Sequence, residues 1–227
     1  MTNALLEPFQ LGPLKLRNRI VMAPLTRVRS NPETAQPPES VVEYYRQRAE
    51  AGLLIAEAVN ISPTAKGAVA TPGIWTEAHQ ALWTKAAAAV HAEGGAVFMQ
   101  LWHTGRLSHV DLQPGGVQPV SASDVQAVGQ TYTQSGLQDY SRPRPLRADE
   151  IPMVVEEYRQ AAQRAKAAGF DGVEIHSANN YLLEQFIRDS TNRRTDEYGG
   201  AIANRLRFPL AVARAVREVW GPGRVGV

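Results

Sequence analysis

The stretch Ala167 Ala168 Gly169 Phe170 Asp171 Gly172 Val173 Glu174 Ile175 His176 Ser177 Ala178 Asn179 Asn180 Tyr181 holds the end of a helix, a strand and a cluster of polar side chains. Gly169 closes a helical pattern that starts at Ile151, as a glycine just past a helix end commonly does. Gly172 to Ile175 then reads as a strand buried on both faces. Directly after it stand a histidine, an amide and a phenol. His176 and Asn179 can both point donors at one carbonyl oxygen if the chain turns after the strand. Tyr181, with an ordinary pKa of about 10, keeps its proton at neutral pH. The trio suits reduction of a polarised double bond. Taken alone, the same residues also serve as strand cap, turn and helix anchor.

The same unit recurs outward from this stretch. Ile20 to Ala23, Leu53 to Ala58, Ala96 to Leu101 and, at the end, Arg224 to Val227 read as further strands. Amphipathic stretches lie between them at Ser40 to Ala51, Glu77 to Glu93, Ile151 to Ala168 and Ala203 to Trp220. Gly52, Gly94 and Gly169 stand at three helix ends. Strand and helix in alternation predict a parallel α/β sheet, either doubly wound or a (β/α)8 TIM barrel. No G-x-G-x-x-G follows the first strand, which disfavours a dinucleotide-binding Rossmann domain.

Eight βα units take about 200 to 250 residues, whereas these 227 residues supply four units and the opening of a fifth. The expectation is therefore roughly the first half of a barrel, strands one to five, in one domain over residues 1–227 that is completed by the remainder of the barrel. Phe9 to Leu16, with a turn at Gly12 Pro13, predicts an N-terminal hairpin plugging the bottom of the barrel. Residues 108–147, rich in glycine and proline, predict a lid over the pocket with a small hairpin at Tyr132 to Leu137.

Composition narrows the function classes. Hydrophobic residues make up 44% and charged residues 20%, and no apolar run is long enough to span a bilayer. The chain has no cysteine, which excludes disulfides, thiolate catalysis and cysteine-ligated clusters within it and agrees with a cytoplasmic setting. Its 24 basic residues are interspersed with carboxylates and leave a net charge of +2, so a nucleic-acid surface is not expected. His103 and His109 flank a glycine without a carboxylate partner, and His79 and His91 are expected on an exposed helix, so no metal site is predicted.

Five motifs taken together resemble one family. They are Met22 Ala23 Pro24 Leu25 Thr26 Arg27, Ala56 Glu57 Ala58, Gln100 Leu101 Trp102 His103 Thr104 Gly105 Arg106, the His176, Asn179, Tyr181 cluster, and Thr191 to Gly200 followed by Asn204 Arg205. In order and spacing, from about Leu6 to Val227, the chain resembles the old yellow enzymes, FMN-dependent ene reductases on a TIM barrel.

The resemblance implies FMN as cofactor, NADPH or NADH as hydride donor, and a small electron-poor alkene as substrate, handled in a ping-pong cycle. It casts Pro24, Leu25, Thr26, Ala58, Gln100 and His176 as flavin contacts, with Thr26 tuning the ring and Gln100 facing its pyrimidine edge. Trp102, His176, Asn179 and Tyr181 would line the substrate side. His176 and Asn179 would bind the carbonyl of an enone or the oxygens of a nitroalkene, and Tyr181 would be the proton donor. Asn180 stands where many members have glycine, which is expected to shift the phenol or narrow the pocket. Arg193 and Arg194, beside Gly199 Gly200, read as turn and capping structure ahead of a helix. Alternatives stay open at this stage. They are a dienoyl-CoA reductase or amine dehydrogenase on the same barrel, and a catalytically silent flavin-binding half-barrel. The physiological substrate, the choice of nicotinamide and the oligomeric state, a homo-oligomer included, are not legible.

Overall fold

The computed structural model describes residues 3–227. Three-residue strands β1 (Phe9–Leu11) and β2 (Leu14–Leu16) form an antiparallel hairpin that turns at Gly12, whose φ of +55° suits glycine. There follow β3 (Val21–Met22), α1 (Ser40–Arg46), β4 (Leu53–Asn60), α2 (Glu77–Ala92) and β5 (Val97–Trp102). The insertion after β5 carries β6 (Val120–Ser121), β7 (Gln130–Thr133), β8 (Gly136–Asp139) and β9 (Arg144–Pro145). Then come α3 (Ile151–Ala167), β10 (Gly172–Ile175), α4 (Leu182–Ile187), α5 (Ile202–Arg205), α6 (Arg207–Trp220) and β11 (Val225–Gly226).

Five strands make one parallel sheet in the order β11-β10-β5-β4-β3. Period-two alternation sorts their side chains into two layers. Leu54, Ala56, Val59, Met99, Leu101, Val173 and Ile175 face the helices and form the main core with Trp83, Val90, Tyr158, Phe208 and Val212. On the other face Leu53, Ile55 and Phe98 pack against Leu11, Leu14 and Leu16 of the hairpin. The hairpin thus closes the N-terminal end of the strands, as expected. Burying each such side chain stabilises the fold by roughly 1.5–3 kcal/mol. Gly172 faces the same interior; a Cβ there would lie 2.4 Å from the Phe98 ring, so only glycine fits.

The alternation survives an irregularity. Ala56 pairs with Met99 but Ala58 pairs with Gln100, so Glu57 is an extra residue in a β-bulge. Above the bulge the interior face continues as Ala58, Gln100 and Glu174 in one row.

The helices depart from expectation at three points. The first ends at Arg46 rather than Ala51, and Gly52 is not a left-handed cap. Instead a Cβ on Gly52 would lie 2.0 Å from the Asn18 carbonyl oxygen. The stretch Ala203 to Trp220 divides into α5 and α6 because Pro209 has no N–H for the Arg205 carbonyl, so a new helix starts with proline in its first turn. His79 is buried: Nε2 meets the Thr34 carbonyl at 2.9 Å and the ring stacks edge-on with Trp75. Thr76 caps the same helix by accepting from the His79 backbone N–H, worth about 1 kcal/mol. No described helix is long and apolar enough to cross a membrane.

Candidate active site

At the C-terminal ends of the strands lies a cavity of about 560 Å³. Its wall includes Pro24, Thr26, Ala58, Gln100, Trp102, His176, Asn179 and Tyr181. The structure therefore gathers eight of the nine expected site residues from four separate strand ends. Leu25 is absent from the wall and is 62% exposed. Glu174, Ser177 and Val227 line the cavity unanticipated. Glu174 is legible by alternation, since it shares one face of β10 with Gly172 and His176 follows in the same phase just past the strand end.

The floor is the row across the sheet. Gln100 donates from Nε2 to Glu174 Oε1 at 2.6 Å, which fixes the amide's orientation. On the far side Thr26 follows β3, and the bulge residue holds it in place. Arg27 donates from its backbone N–H to Glu57 Oε2 at 3.2 Å and from Nε to Oε1 at 2.9 Å, with Nη2 on Oε1 as well. Tyr45 Oη accepts from the Glu57 backbone N–H at 2.8 Å, and the Arg27 guanidinium lies 4.0 Å from the Tyr44 ring centroid. This is a desolvated, multiply bonded pair, so removing one member leaves a buried charge.

The opposite wall is built by the turn after β10. His176 N–H donates to the Leu101 carbonyl, and Leu182 N–H to that of His103, so β5 and the residue just after it template the segment at both ends. Asn179 and Asn180 are consecutive left-handed residues, φ +55° and +62°, a conformation asparagine tolerates better than most residues. The Asn180 side chain leaves the cavity: Oδ1 accepts from Arg106 Nη2 at 3.2 Å, and its carbonyl accepts from Gln185 Nε2 at 2.7 Å. The pocket is consequently not narrowed at this position.

Three aromatic rings meet edge to face, with Tyr181 5.0 Å from Trp102 and 4.8 Å from His176 between centroids. Burial raises the Tyr181 pKa and lowers that of His176, so both are neutral near pH 7. Ala178 N–H makes a long contact of 3.4 Å to His176 Nδ1, which leaves the ring proton on Nε2 as a donor. The Tyr181 hydroxyl has no hydrogen-bond partner among the described residues, so its proton is free to be given away. An amide on the floor, a hydroxyl on one wall, and a neutral imidazole, an amide and a protonated phenol on the other can donate hydrogen bonds to an oxygen and a proton to a carbon.

No residue of 108–147 lines this cavity; the insertion docks beside it, through Thr131 to the Gly67 carbonyl and Ser121 to Gln185 Oε1. Its small hairpin is present and slightly longer than expected, Gln130 to Asp139. Arg194 is tied to the carbonyls of Ala122 and Leu146 and to Asp196, and Asn192 to those of Phe186 and Tyr198, a structural knot. His109 does have a carboxylate nearby, Asp111 at 3.5 Å, yet no group of three metal-ligating side chains occurs among the described residues.

Residues 4–227 match the model of the NADH:flavin oxidoreductase / NADH oxidase family. The chain belongs to this family. Its relatives place it in the old yellow enzyme branch of that family. It is 51% identical over 224 residues to 12-oxophytodienoate reductase 1 of Oryza sativa subsp. japonica, covering 98% of this chain and 57% of the rice protein. It superimposes on morphinone reductase in complex with tetrahydroNAD with a TM-score of 0.94 at 55% identity, over 99% of this chain and 63% of that one. The old yellow enzyme homologue from Zymomonas mobilis gives 0.94 at 46% identity, over 98% and 62%. The chain thus spans about 60% of the length of the relatives it matches, and its five parallel strands are part of a (β/α)8 barrel.

Proposed function

We propose that the protein to which this old yellow enzyme chain belongs is an FMN-dependent NAD(P)H reductase of activated alkenes such as enones, enals and nitroalkenes. The observation that carries the reading is the convergence of His176, Asn179 and the unpartnered Tyr181 hydroxyl on one cavity, opposite the Thr26 and Gln100 wall.

The donor set fits a flavin ring. The Gln100 amide offers a donor and an acceptor, as the pyrimidine edge of the ring requires, and Thr26 offers a hydroxyl. Ala58 and Pro24 leave room for a planar group. The cavity wall contains no arginine or lysine, so it suits the ring end of the cofactor and not its phosphate. FMN, when bound, supplies the two-electron acceptor and donor that none of these side chains can be. The side chains do the rest. His176 Nε2–H and the Asn179 amide hold an oxygen, first that of a nicotinamide carboxamide and, after its departure, that of the alkene substrate. As charge grows on the substrate oxygen, each such donor is worth about 10² to 10³ in rate. Tyr181 gives its proton to the α carbon and recovers one from water.

The test is an absorption spectrum of the purified full-length protein before and after NADPH without oxygen, followed by addition of 2-cyclohexenone. A yellow protein that bleaches with NADPH and recovers its colour with the enone is expected. A colourless protein that FMN cannot reconstitute would sink the reading, and a yellow one that NADPH leaves unchanged would favour a silent flavin-binding module.

A further inference from the structure

A second cavity, of about 580 Å³, adjoins the first and shares Ala178 and Asn179 with it. Its wall adds Arg106, Asn180, Glu184, Arg188, Ser190 and Thr191. Arg106 is only 8% exposed and has no carboxylate within 4 Å among the described residues. Its position is built. The backbone N–H donates to Gln185 Oε1 at 3.1 Å, Nη1 to the Val125 carbonyl at 3.0 Å and Nη2 to Asn180 Oδ1. Nε has no partner. The one carboxylate in the wall, Glu184, is already engaged: Arg188 donates to it from Nε at 2.7 Å and the Asn180 N–H caps its other oxygen. The wall therefore carries one cation more than it neutralises, and a desolvated guanidinium without a counter-charge is costly.

We propose that this cavity is a subsite for an anionic group, a carboxylate or phosphate, on a molecule whose reacting end lies in the main cavity. The inference rests on the ene-reductase reading for what that reacting end is. Asn179 would then touch both ends of one ligand, with its neighbours Asn180 and Arg106 reading the charge. Two sources share this chemistry: an enone that carries a carboxylate on an alkyl tail, and the pyrophosphate of the nicotinamide dinucleotide.

The experiment compares an enone acid with its methyl ester in the full-length, flavin-loaded protein, with Arg106→Met and, because a buried arginine can be needed for folding, the exposed Ser190→Glu. For the carboxylate source, the ratio of acid KM to ester KM should rise about 10- to 100-fold in Arg106→Met, the worth of a charged hydrogen-bond partner. It should rise at least about fivefold in Ser190→Glu through like-charge repulsion. For the dinucleotide source, that ratio stays fixed while the dissociation constant of NADP⁺ or NAD⁺ rises by similar factors. Unchanged values for both pairs in both variants would overturn the subsite. Titration calorimetry with the saturated keto acid needs no turnover: binding weakened in Ser190→Glu supports a carboxylate subsite even if the protein reduces neither enone, an outcome that would instead count against the ene-reductase reading.

Discussion

Replacing Tyr181 by phenylalanine isolates the proton from everything else the side chain does. The ring's edge-to-face contacts with Trp102 and His176, at 5.0 and 4.8 Å, involve carbon atoms that phenylalanine keeps. The hydroxyl has no hydrogen-bond partner among the described residues, so its loss should cost less than about 1 kcal/mol of stability, below the usual worth of one bond. A positioned general acid contributes about 10² to 10⁴ in rate, or roughly 3 to 5 kcal/mol of barrier. Stopped-flow measurement of the two half-reactions separates the effects. Reduction of the flavin by NADPH should stay near wild type, and reoxidation by 2-cyclohexenone should slow by those factors. Nitroalkenes should be affected less, because their nitronate can leave and take a proton from water. Because burial raises the phenol's pKa above its ordinary value near 10, reoxidation by wild type should be flat from pH 6 to 9 with respect to this group. Equal slowing of both half-reactions would make Tyr181 a packing residue, and undiminished enone reduction would assign the proton to water.

Three further outcomes are expected. His176→Ala with Asn179→Ala should lower enone reduction by at least about 10² to 10³ and abolish the charge-transfer band of bound phenols, read by difference spectroscopy. Arg27→Met leaves Glu57 buried and uncompensated, so denaturant unfolding should show a loss of about 3–5 kcal/mol; a loss below 1 would mean that the ion pair is not desolvated. His103, wholly buried, has its pKa pushed down to about 3 from 6.5. The unfolded chain then binds more protons than the folded one between those values, so stability should fall by up to about 1.4 kcal/mol per unit as pH drops below 6.5. His103→Gln should flatten that slope in urea titrations.

Much of the molecule was legible because a (β/α)8 architecture buries its strands on both faces. Gly172 to Ile175 is read to the residue, since glycine and histidine bound it. The bulge is not legible: Glu57 is the one charged residue of the run from Leu53, but a single polar residue does not show whether it fills a pleat position or is surplus, and the strand runs on to Asn60. His79 shares a helix face with the buried Leu82 and Trp83, three and four residues on, and that spacing outweighs its titratable side chain in placing it inside. The site residues were legible as a set because strand ends in this architecture converge. What Asn180 does was not, because its destination, Arg106, lies 74 positions away in sequence.

The surplus residue in β4 has a mechanical consequence. Because Glu57 is added without disturbing the inward row on either side, it works as a rivet, fastening the loop that bears Thr26 to the strand beside it. A segment fastened so cannot swing unless a buried ion pair opens. The two flanks of the cavity are therefore unequal in stiffness, one riveted and one a solvent-facing turn through Ala178 and Asn179. In the proposed cycle, any yielding needed to exchange a nicotinamide for an alkene would fall to the turn, and the Thr26 flank would be the fixed reference against which both guests are aligned.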